Sequence, residues 1–163
     1  MSLLVWLPLN GNLNNYGTSP AKFSLVNNSS GISTASTGGK VSSAMYQRTK
    51  SNTADYITSD INFLLDGDFS MCCWCKVTGY GTTDSANGII THHGHTTGGG
   101  GITMRYISST DMRMSINTGT SSSNRTYMTY YSPVNIYNSW HHLCLTYNRK
   151  KSQYIMYVDG NFD

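Results

Sequence analysis

The sequence predicts an all-β protein built from two antiparallel sheets that pack face to face. Asn, Ser and Thr make up 56 of the 163 residues. These side chains compete with the backbone hydrogen bonds of a helix, whereas Thr and the 12 Tyr suit a half-buried strand. No stretch of about a dozen residues keeps a helical period, and short apolar runs alternate with turn signals roughly every ten residues, a pattern typical of a sandwich.

The chain length and net charge indicate the number of domains and exclude one class of partner. A chain of 163 residues suits one domain, so residues 1–163 are predicted to form a single domain whose core needs no metal or disulfide. The net charge is only +3, and the one basic cluster, residues 149–151, falls in a predicted loop. We therefore expect no binding of nucleic acid.

The apolar start of the chain does not predict a targeting segment. Pro8 interrupts it and no positive charge precedes it, so it lacks the pattern of a signal peptide. It is also far too short to span a membrane. We expect synthesis in the cytoplasm without membrane insertion.

The apolar runs predict the strands in chain order. The first covers residues 3–7 and is expected to be buried, whereas residues 27–40 lack an apolar period and carry no predicted strand. Met112, Met114 and Ile116 alternate with polar residues, which predicts a strand with one packed face. The other predicted strands cover residues 23–26, 41–46, 55–57, 69–77, 88–91, 101–107, 127–131, 140–147 and 154–158, with 88–91 paired to 101–107.

The end of the sequence predicts an incomplete hairpin. Asp159 and Gly160 follow a strand and are a strong signal for a two-residue turn. Only three residues remain for the returning strand, so we expect a sandwich that lacks its C-terminal strands. Either the chain is a fragment of a longer protein, which we favour, or another chain or segment supplies the missing strand.

The four cysteines are expected to be reduced core residues. Cys73 and Cys75 point to one face of a strand two residues apart, where a bridge between them is geometrically poor. Together with Cys72 and Cys144 they do not form the two separated ligand pairs of a zinc site. Small apolar packing is the simplest role for them.

Several segments resemble the strands of concanavalin A-like and laminin G-like domains. Residues 69–76 read Phe-Ser-Met-x-x-Trp-x-Lys, residues 140–147 read Trp-His-His-Leu-Cys-Leu-Thr-Tyr, and residues 154–160 end in Val-Asp-Gly. The Asp-Tyr-Ile of residues 55–57 agrees in order and spacing. Residues 7–14 are similar to the first strand of such domains in bacteriophage and bacterial surface proteins.

This resemblance implies a fold and identifies the residues that an enzyme of this fold would need. It implies an all-β, concanavalin A-like jelly roll, in which Cys144 stands where these domains usually have Ala. Glycosidases on this jelly roll resemble one another in using paired carboxylates, usually Glu. All eight acidic residues here are Asp, and Asp66 and Asp68 read as flanking a turn. A nucleophilic pair of Cys144 and His142 is less expected than sheet packing, so we predict no enzymatic activity.

The histidine-rich segment at 92–95 is the most distinctive candidate for metal binding. His93 and His95 can converge on a transition metal with Asp84 as a third ligand, although a hydrogen-bonded loop explains them as well. Asp84, Asn87 and Asp111 are suitable Ca²⁺ ligands by type, but they match no calcium motif. We expect no cofactor, with these residues as the candidates if a metal is bound.

The predicted loops carry the chemistry of glycan recognition. Amide, hydroxyl and imidazole groups satisfy sugar hydroxyls, and an aromatic ring stacks on the sugar. The candidate binding residues are Tyr80, Asn87, His93, His95, Asn124, Arg125, Tyr127, Tyr130 and the adjacent Tyr131.

These residues lead to two hypotheses of function. The first is a non-catalytic module of a phage virion or bacterial surface protein that binds a cell-surface glycan or a protein receptor. The alternative is a structural virion protein, a fibre or decoration component, that uses the jelly roll to assemble with other subunits or with copies of itself.

Overall fold

The computed structural model describes residues 3–26, 31–41, 44–48, 55–63, 67–78, 88–92, 101–117, 125–132 and 135–162. All regular structure in these ranges is β, which confirms the predicted class. None of these ranges contains a helix long and apolar enough to cross a membrane. The strands are β1 (Phe23–Val26), β2 (Ile32–Ala35), β3 (Met45–Arg48), β4 (Tyr56–Ser59), β5 (Phe69–Lys76), β6 (Gly88–His92), β7 (Gly101–Tyr106), β8 (Asp111–Asn117), β9 (Arg125–Tyr131), β10 (Trp140–Asn148), β11 (Gln153–Val158) and β12 (Asn161–Phe162).

The chain divides into two compact units, Met1–Leu64 and Leu65–Asp163, which we call unit 1 and unit 2. Unit 1 contains two antiparallel strand pairs, β1 with β4 and β2 with β3. The β2 strand lies inside the stretch 27–40, where the sequence predicted no strand. Short pairing with β3 stabilises a strand that has no apolar alternation of its own.

The predicted buried strand at residues 3–7 does not form. Leu3 and Trp6 are more than half exposed, and no regular strand is assigned there. The side-chain oxygen of Asn15 accepts hydrogen bonds from the amides of Trp6 and Gly17, both at 2.9 Å. A polar side chain thus replaces part of a strand ladder, which is the competition expected of Asn.

Unit 2 is a sandwich of two four-stranded antiparallel sheets. The strand orders are β12-β11-β10-β5 and β6-β7-β8-β9. Their inward side chains form one hydrophobic core, as the sequence predicted. The buried members of this core are Ile102, Met104, Tyr106, Met112, Met114, Ile116, Ile136, Leu143, Leu145, Met156 and Val158.

In the second sheet, β7 and the middle of β8 are buried on both faces. Met112, Met114 and Ile116 are buried as the alternation predicts, but Ser115 between them is fully buried as well. All six residues of β7 are buried, including Arg105. Alternation along a strand identifies the apolar face, but it does not tell whether the polar face is covered.

The cysteines do not all belong to the core. Cys73 and Cys75 face inward and pack against it, as expected. Cys72 is exposed and Cys144 lies outside the core, so the expectation of a core role is wrong for both residues. Cys72 lies directly opposite Cys144 in the pairing of β5 with β10, because alternation turns both side chains to the outer face.

The last hairpin closes through the turn that the sequence predicts. Asp159 and Gly160 have φ values of 52° and 83°, the left-handed conformations that a two-residue turn of type I′ requires. They connect β11 to the two residues of β12. Phe162 in this short strand is 73% exposed.

Replacing Gly17 by Ala should destabilise unit 1. An added Cβ at this position would overlap the carbonyl group of Leu4, which is part of the backbone and has little room to move. We expect Gly17→Ala to lower the free energy of unfolding by about 1–3 kcal/mol, measured by urea denaturation. Gly67→Ala is the matched control, since nothing lies within 4 Å of its added Cβ. Equal effects of the two substitutions would contradict the close packing at Gly17.

Candidate functional site

A cleft of about 540 Å³ opens in unit 2 between the start of β9 and the turn that joins β10 to β11. We call it the end cleft. It combines polar groups with apolar and aromatic surface. Its lining residues are Ile116, Thr126, Met128, Lys151, Ser152, Gln153 and Tyr154.

Hydrogen bonds hold the turn that forms one wall of the end cleft. Asp68 accepts the amide of Arg149 at 2.7 Å, and the side chain of Asn148 accepts the amide of Lys151 at 2.9 Å. Ser152 donates its amide to the Arg149 carbonyl and has a φ of 50°. A left-handed residue at the end of such a turn returns the chain into the next strand. Lys151 and Gln153 are therefore carried by a defined backbone.

Tyr154 supplies the aromatic part of the cleft. Its ring stacks on Tyr147 with centroids 4.3 Å apart and an interplanar angle of 24°, and Phe69 meets it edge-on at 6.4 Å. Burial, together with the neighbouring Tyr147, raises the pKa of Tyr154. The phenol therefore stays protonated at neutral pH and can both donate and accept a hydrogen bond.

The end cleft suits a small polar ligand. Thr126 and Ser152 offer hydroxyls, Gln153 an amide, and Lys151 an ammonium group, all from exposed side chains. Its volume falls in the range of small-molecule sites, which run from roughly 300 to 1,000 Å³. Polar groups that can donate and accept beside an aromatic ring are the combination that sugars require.

The structure describes only part of the predicted binding set. Tyr80, Asn87, His93, His95 and Asn124 lie outside the described residues, as does the metal candidate Asp84. Their roles stay predictions.

The described members of the set belong to β9. Arg125 and Tyr127 lie opposite Asn117 and Ser115 in the ladder with β8, and Arg125 directly precedes the cleft residue Thr126. Tyr130 packs against the hydrophobic core, whereas Tyr131 is 68% exposed. The structure therefore brings the start of β9 to the cleft and uses Tyr130 for packing.

Sequence reasoning missed the contribution of residues 151–154 to this site. They were expected to be a solvated loop and the start of a strand. Lys151 and Gln153 are indeed exposed, but the sheet order brings them to the same end of the sandwich as Thr126. The available signal was that the loops before β9 and before β11 are both rich in polar residues.

A second cleft, of about 440 Å³, lies within unit 1. It is lined by residues 13–15 and 19–23. The amide group of Asn15 is already used there, since its nitrogen donates to the Ser19 carbonyl at 2.9 Å and its oxygen accepts two backbone amides. This cleft therefore presents fewer free polar groups to a ligand than the end cleft does.

The His142 and Cys144 pair does not have the geometry of a nucleophile and its base. The ring of His142 packs against Trp74 with centroids 5.1 Å apart. The sulfur of Cys144 lies 2.7 Å from the sulfur of Cys72. Each side chain is thus engaged by a different neighbour on the outer face of the sheet.

The neighbouring His141 is held by Asp159 of the last turn. Nδ1 of His141 lies 2.7 Å from one carboxylate oxygen, and the other oxygen accepts the amide of His142 at 2.8 Å. Nε2 of His141 lies 3.1 Å from the carbonyl oxygen of Ile136. Both ring nitrogens are used inside the fold, so this pair ties the hairpin to β10.

Every carboxylate that the structure describes already accepts a hydrogen bond from the protein. Four of the five accept a backbone amide, which is a structural role. Asp55 accepts the amide of Gly31, Asp60 that of Lys22, Asp68 that of Arg149, Asp159 that of His142, and Asp111 the hydroxyl of Thr110. Within the described ranges, no three His, Cys, Asp or Glu side chains come together as a metal site.

Comparison with known families shows to which superfamily the chain belongs. The family described as the concanavalin A-like lectin/glucanases superfamily, in its laminin G type, matches residues 50–163. The chain belongs to this superfamily. Its sandwich is therefore a concanavalin A-like jelly roll, with the resembling segments in β5, β10 and the β11–β12 hairpin. No curated protein and no solved structure matches the chain. Because the superfamily includes both lectins and glucanases, membership is compatible with carbohydrate binding and leaves catalysis open.

The Asp159 cluster should make stability depend on acid pH. Burial opposes ionisation of Asp159, but the hydrogen bonds from the His142 amide and from His141 outweigh it and lower the pKa of the carboxyl group. The folded state thus binds this proton more weakly than the unfolded chain. The stabilisation is present above the ordinary carboxyl pKa and is lost as the pH falls through the lowered value.

Two variants test this dependence. Asp159→Asn tolerates the left-handed backbone and should show a smaller loss of stability than the wild type between about pH 4 and pH 2. Asp159→Ala removes both acceptors and should lose about 1–3 kcal/mol at neutral pH. Urea denaturation across this pH range measures both effects. Parallel pH profiles for the wild type and Asp159→Asn would contradict the assignment.

Proposed function

We propose that this protein is a non-catalytic carbohydrate-binding module and that the end cleft holds part of the glycan. Membership of a superfamily of lectins and glucanases supports this proposal. The observation that carries it is the lining of the end cleft, where hydroxyl, amide and ammonium groups surround an anchored Tyr154. A cell-surface glycan, or a protein receptor with similar surface chemistry, is the proposed ligand.

The non-catalytic part of the proposal rests on the carboxylates. A glycosidase needs two carboxyl groups on either side of the scissile bond, separated by about 5–10 Å and available to substrate. The chain has no Glu, and each described Asp already serves as an acceptor inside the fold. We propose no cofactor. The alternatives are a transition-metal site at Asp84, His93 and His95 and a Ca²⁺ site among Asp84, Asn87 and Asp111.

The proposed setting is a phage virion or a bacterial surface assembly. The resemblance of residues 7–14 to such domains in sequence motivates this setting. These residues form no strand and lie outside the matched range 50–163. A protein of this kind is made in the cytoplasm and recognises its receptor outside the cell.

One observation favours the alternative of a structural virion protein. The β12 strand forms an edge of its sheet, and the side chain of Phe162 is exposed. Such an edge can accept a strand from a neighbouring subunit or a second copy of this chain. A sharp rise in apparent mass with concentration, lost in Phe162→Asp, would favour assembly over glycan binding.

Removing a polar group from the end cleft should weaken glycan binding. We expect Gln153→Ala and Lys151→Ala each to reduce affinity about 3- to 10-fold, the range for one net hydrogen bond. A glycan array identifies the ligand, and titration calorimetry with that ligand measures the change.

Lys150→Ala is the matched control, because Lys150 lies in the same turn and has the same charge but does not line the cleft. An equal loss in the control would assign the effect to charge alone. Full affinity in both cleft variants would place the binding site elsewhere on the protein.

The folded chain should show no turnover of polysaccharides. We expect no release of reducing ends above the buffer rate from a panel of β-glucans and bacterial polysaccharides. Activity that disappears in Asp68→Asn would overturn the non-catalytic proposal, since Asp68 would then act on substrate rather than only on the Arg149 amide.

A further inference from the structure

Two cysteines meet on the outer face of the first sheet of unit 2. Cys72 in β5 and Cys144 in β10 occupy directly opposite positions of the antiparallel ladder. The thiol of Cys72 donates to the sulfur of Cys144, and the sulfurs are 2.7 Å apart. Both are free thiols in this structure.

The backbone here already satisfies the geometry of a disulfide. Directly opposite residues in an antiparallel pair have Cα atoms about 4.5–5.5 Å apart, within the range of about 4.4–6.8 Å that disulfides span. The two sulfurs need to approach by only about 0.7 Å to reach the bond length of about 2.05 Å. Side-chain rotation is therefore sufficient, and the strands need not move apart or change register.

We propose that Cys72 and Cys144 form a redox-active pair, a site of oxidative modification that closes into a cross-strand disulfide with a small-molecule disulfide as its oxidant. One cysteine thiolate attacks the oxidant, for example oxidised glutathione, and releases one glutathione thiolate. The other cysteine thiolate attacks the mixed disulfide, forms the bond between Cys72 and Cys144, and releases the second glutathione. The protein loses two electrons and two protons, and the oxidant gains them.

The surroundings of Cys72 give an oxidant access to the thiol but lower the fraction of reactive thiolate. Cys72 is exposed, so an oxidant can reach it. Although the residue is exposed overall, partial burial of the thiol, together with the hydrogen bond to Cys144, raises the pKa of Cys72 to about 12. Because the thiolate is the nucleophile, Cys72 reacts slowly near neutral pH.

The other two cysteines are not equivalent to this pair. Cys73 and Cys75 face the core on the opposite side of β5, and the sulfur of Cys75 lies 3.6 Å from the hydroxyl of Tyr106. Cys72 and Cys73 are neighbours on one extended strand, so their sulfurs point to opposite faces of the sheet and do not meet. Cys73 and Cys75 do share the inner face, but a bridge between residues two apart on one extended strand is geometrically poor. The bond is therefore expected between Cys72 and Cys144.

Oxidation would link β5 covalently to β10 beside the pair formed by Trp74 and His142. Trp74 and His142 form the neighbouring cross-strand pair on the same outer face, and Tyr157 of β11 lies opposite Cys144 on its other side. A bond across β5 and β10 restricts the separation of these strands. Since it also closes a long loop of the unfolded chain, the oxidised protein should melt roughly 5–15 °C above the reduced one.

The test compares oxidised and reduced full-length protein. After incubation with oxidised glutathione, we expect the four free thiols to fall to two in denaturant, with the protein remaining monomeric on a non-reducing gel. Tryptic digestion should link the peptide of residues 51–76 to the peptide of residues 126–149. A rise in melting temperature that dithiothreitol reverses completes the expected result.

Single substitutions identify the sulfurs, because the first peptide contains three cysteines. Cys72→Ser and Cys144→Ala should abolish the link and the rise in melting temperature, whereas Cys75→Ala should retain both. The melting temperature of each reduced variant shows that it is folded. A link that persists in Cys72→Ser, four thiols remaining after oxidation, or a covalent dimer would each overturn the proposal.

Discussion

The antiparallel register between β5 and β10 is the constraint on which the rest of unit 2 depends. Eight consecutive pairs, from Phe69 opposite Tyr147 to Lys76 opposite Trp140, decide which side chains face the core. A shift of one residue would send Leu143 and Leu145 to the outside and bury their polar neighbours. Burial of these two leucines in the core therefore selects the register, and the register in turn places everything on the outer face.

The polar features of unit 2 follow from that register. At one end of the pairing, Asp68 holds the turn that forms a wall of the end cleft. Near the other end, Asp159 joins the last hairpin to His141 and His142. Between them, the outer face aligns Cys72 with Cys144 and Trp74 with His142. Asp68 and Asp159 therefore each fix a turn at one end of this pairing.

Much of the fold could be predicted because strand signals are local. The alternation of Met112, Met114 and Ile116, the Asp159-Gly160 turn and the resembling segments from residue 55 onward correspond to observed elements. The resembling segment at residues 7–14 does not, since no strand forms there. The errors lie where local signals compete. Residues 3–7 have the pattern of a buried strand, but the side chain of Asn15 accepts the hydrogen bond of the Trp6 amide. The β2 strand forms because it pairs with β3. The end cleft was harder still, because its residues come from three strands and a turn.

By itself the sequence determined the class of this protein, the positions of most strands in unit 2 and the absence of Glu from any site. Alternation with a period of two and turn residues depend only on a few neighbouring residues, so both can be recognised in the sequence. Only the tertiary structure decided that β9 lies beside the start of β11, that the polar face of β7 is buried and that Cys72 meets Cys144. These outcomes depend on strand order and register, which arise from packing between residues far apart in sequence.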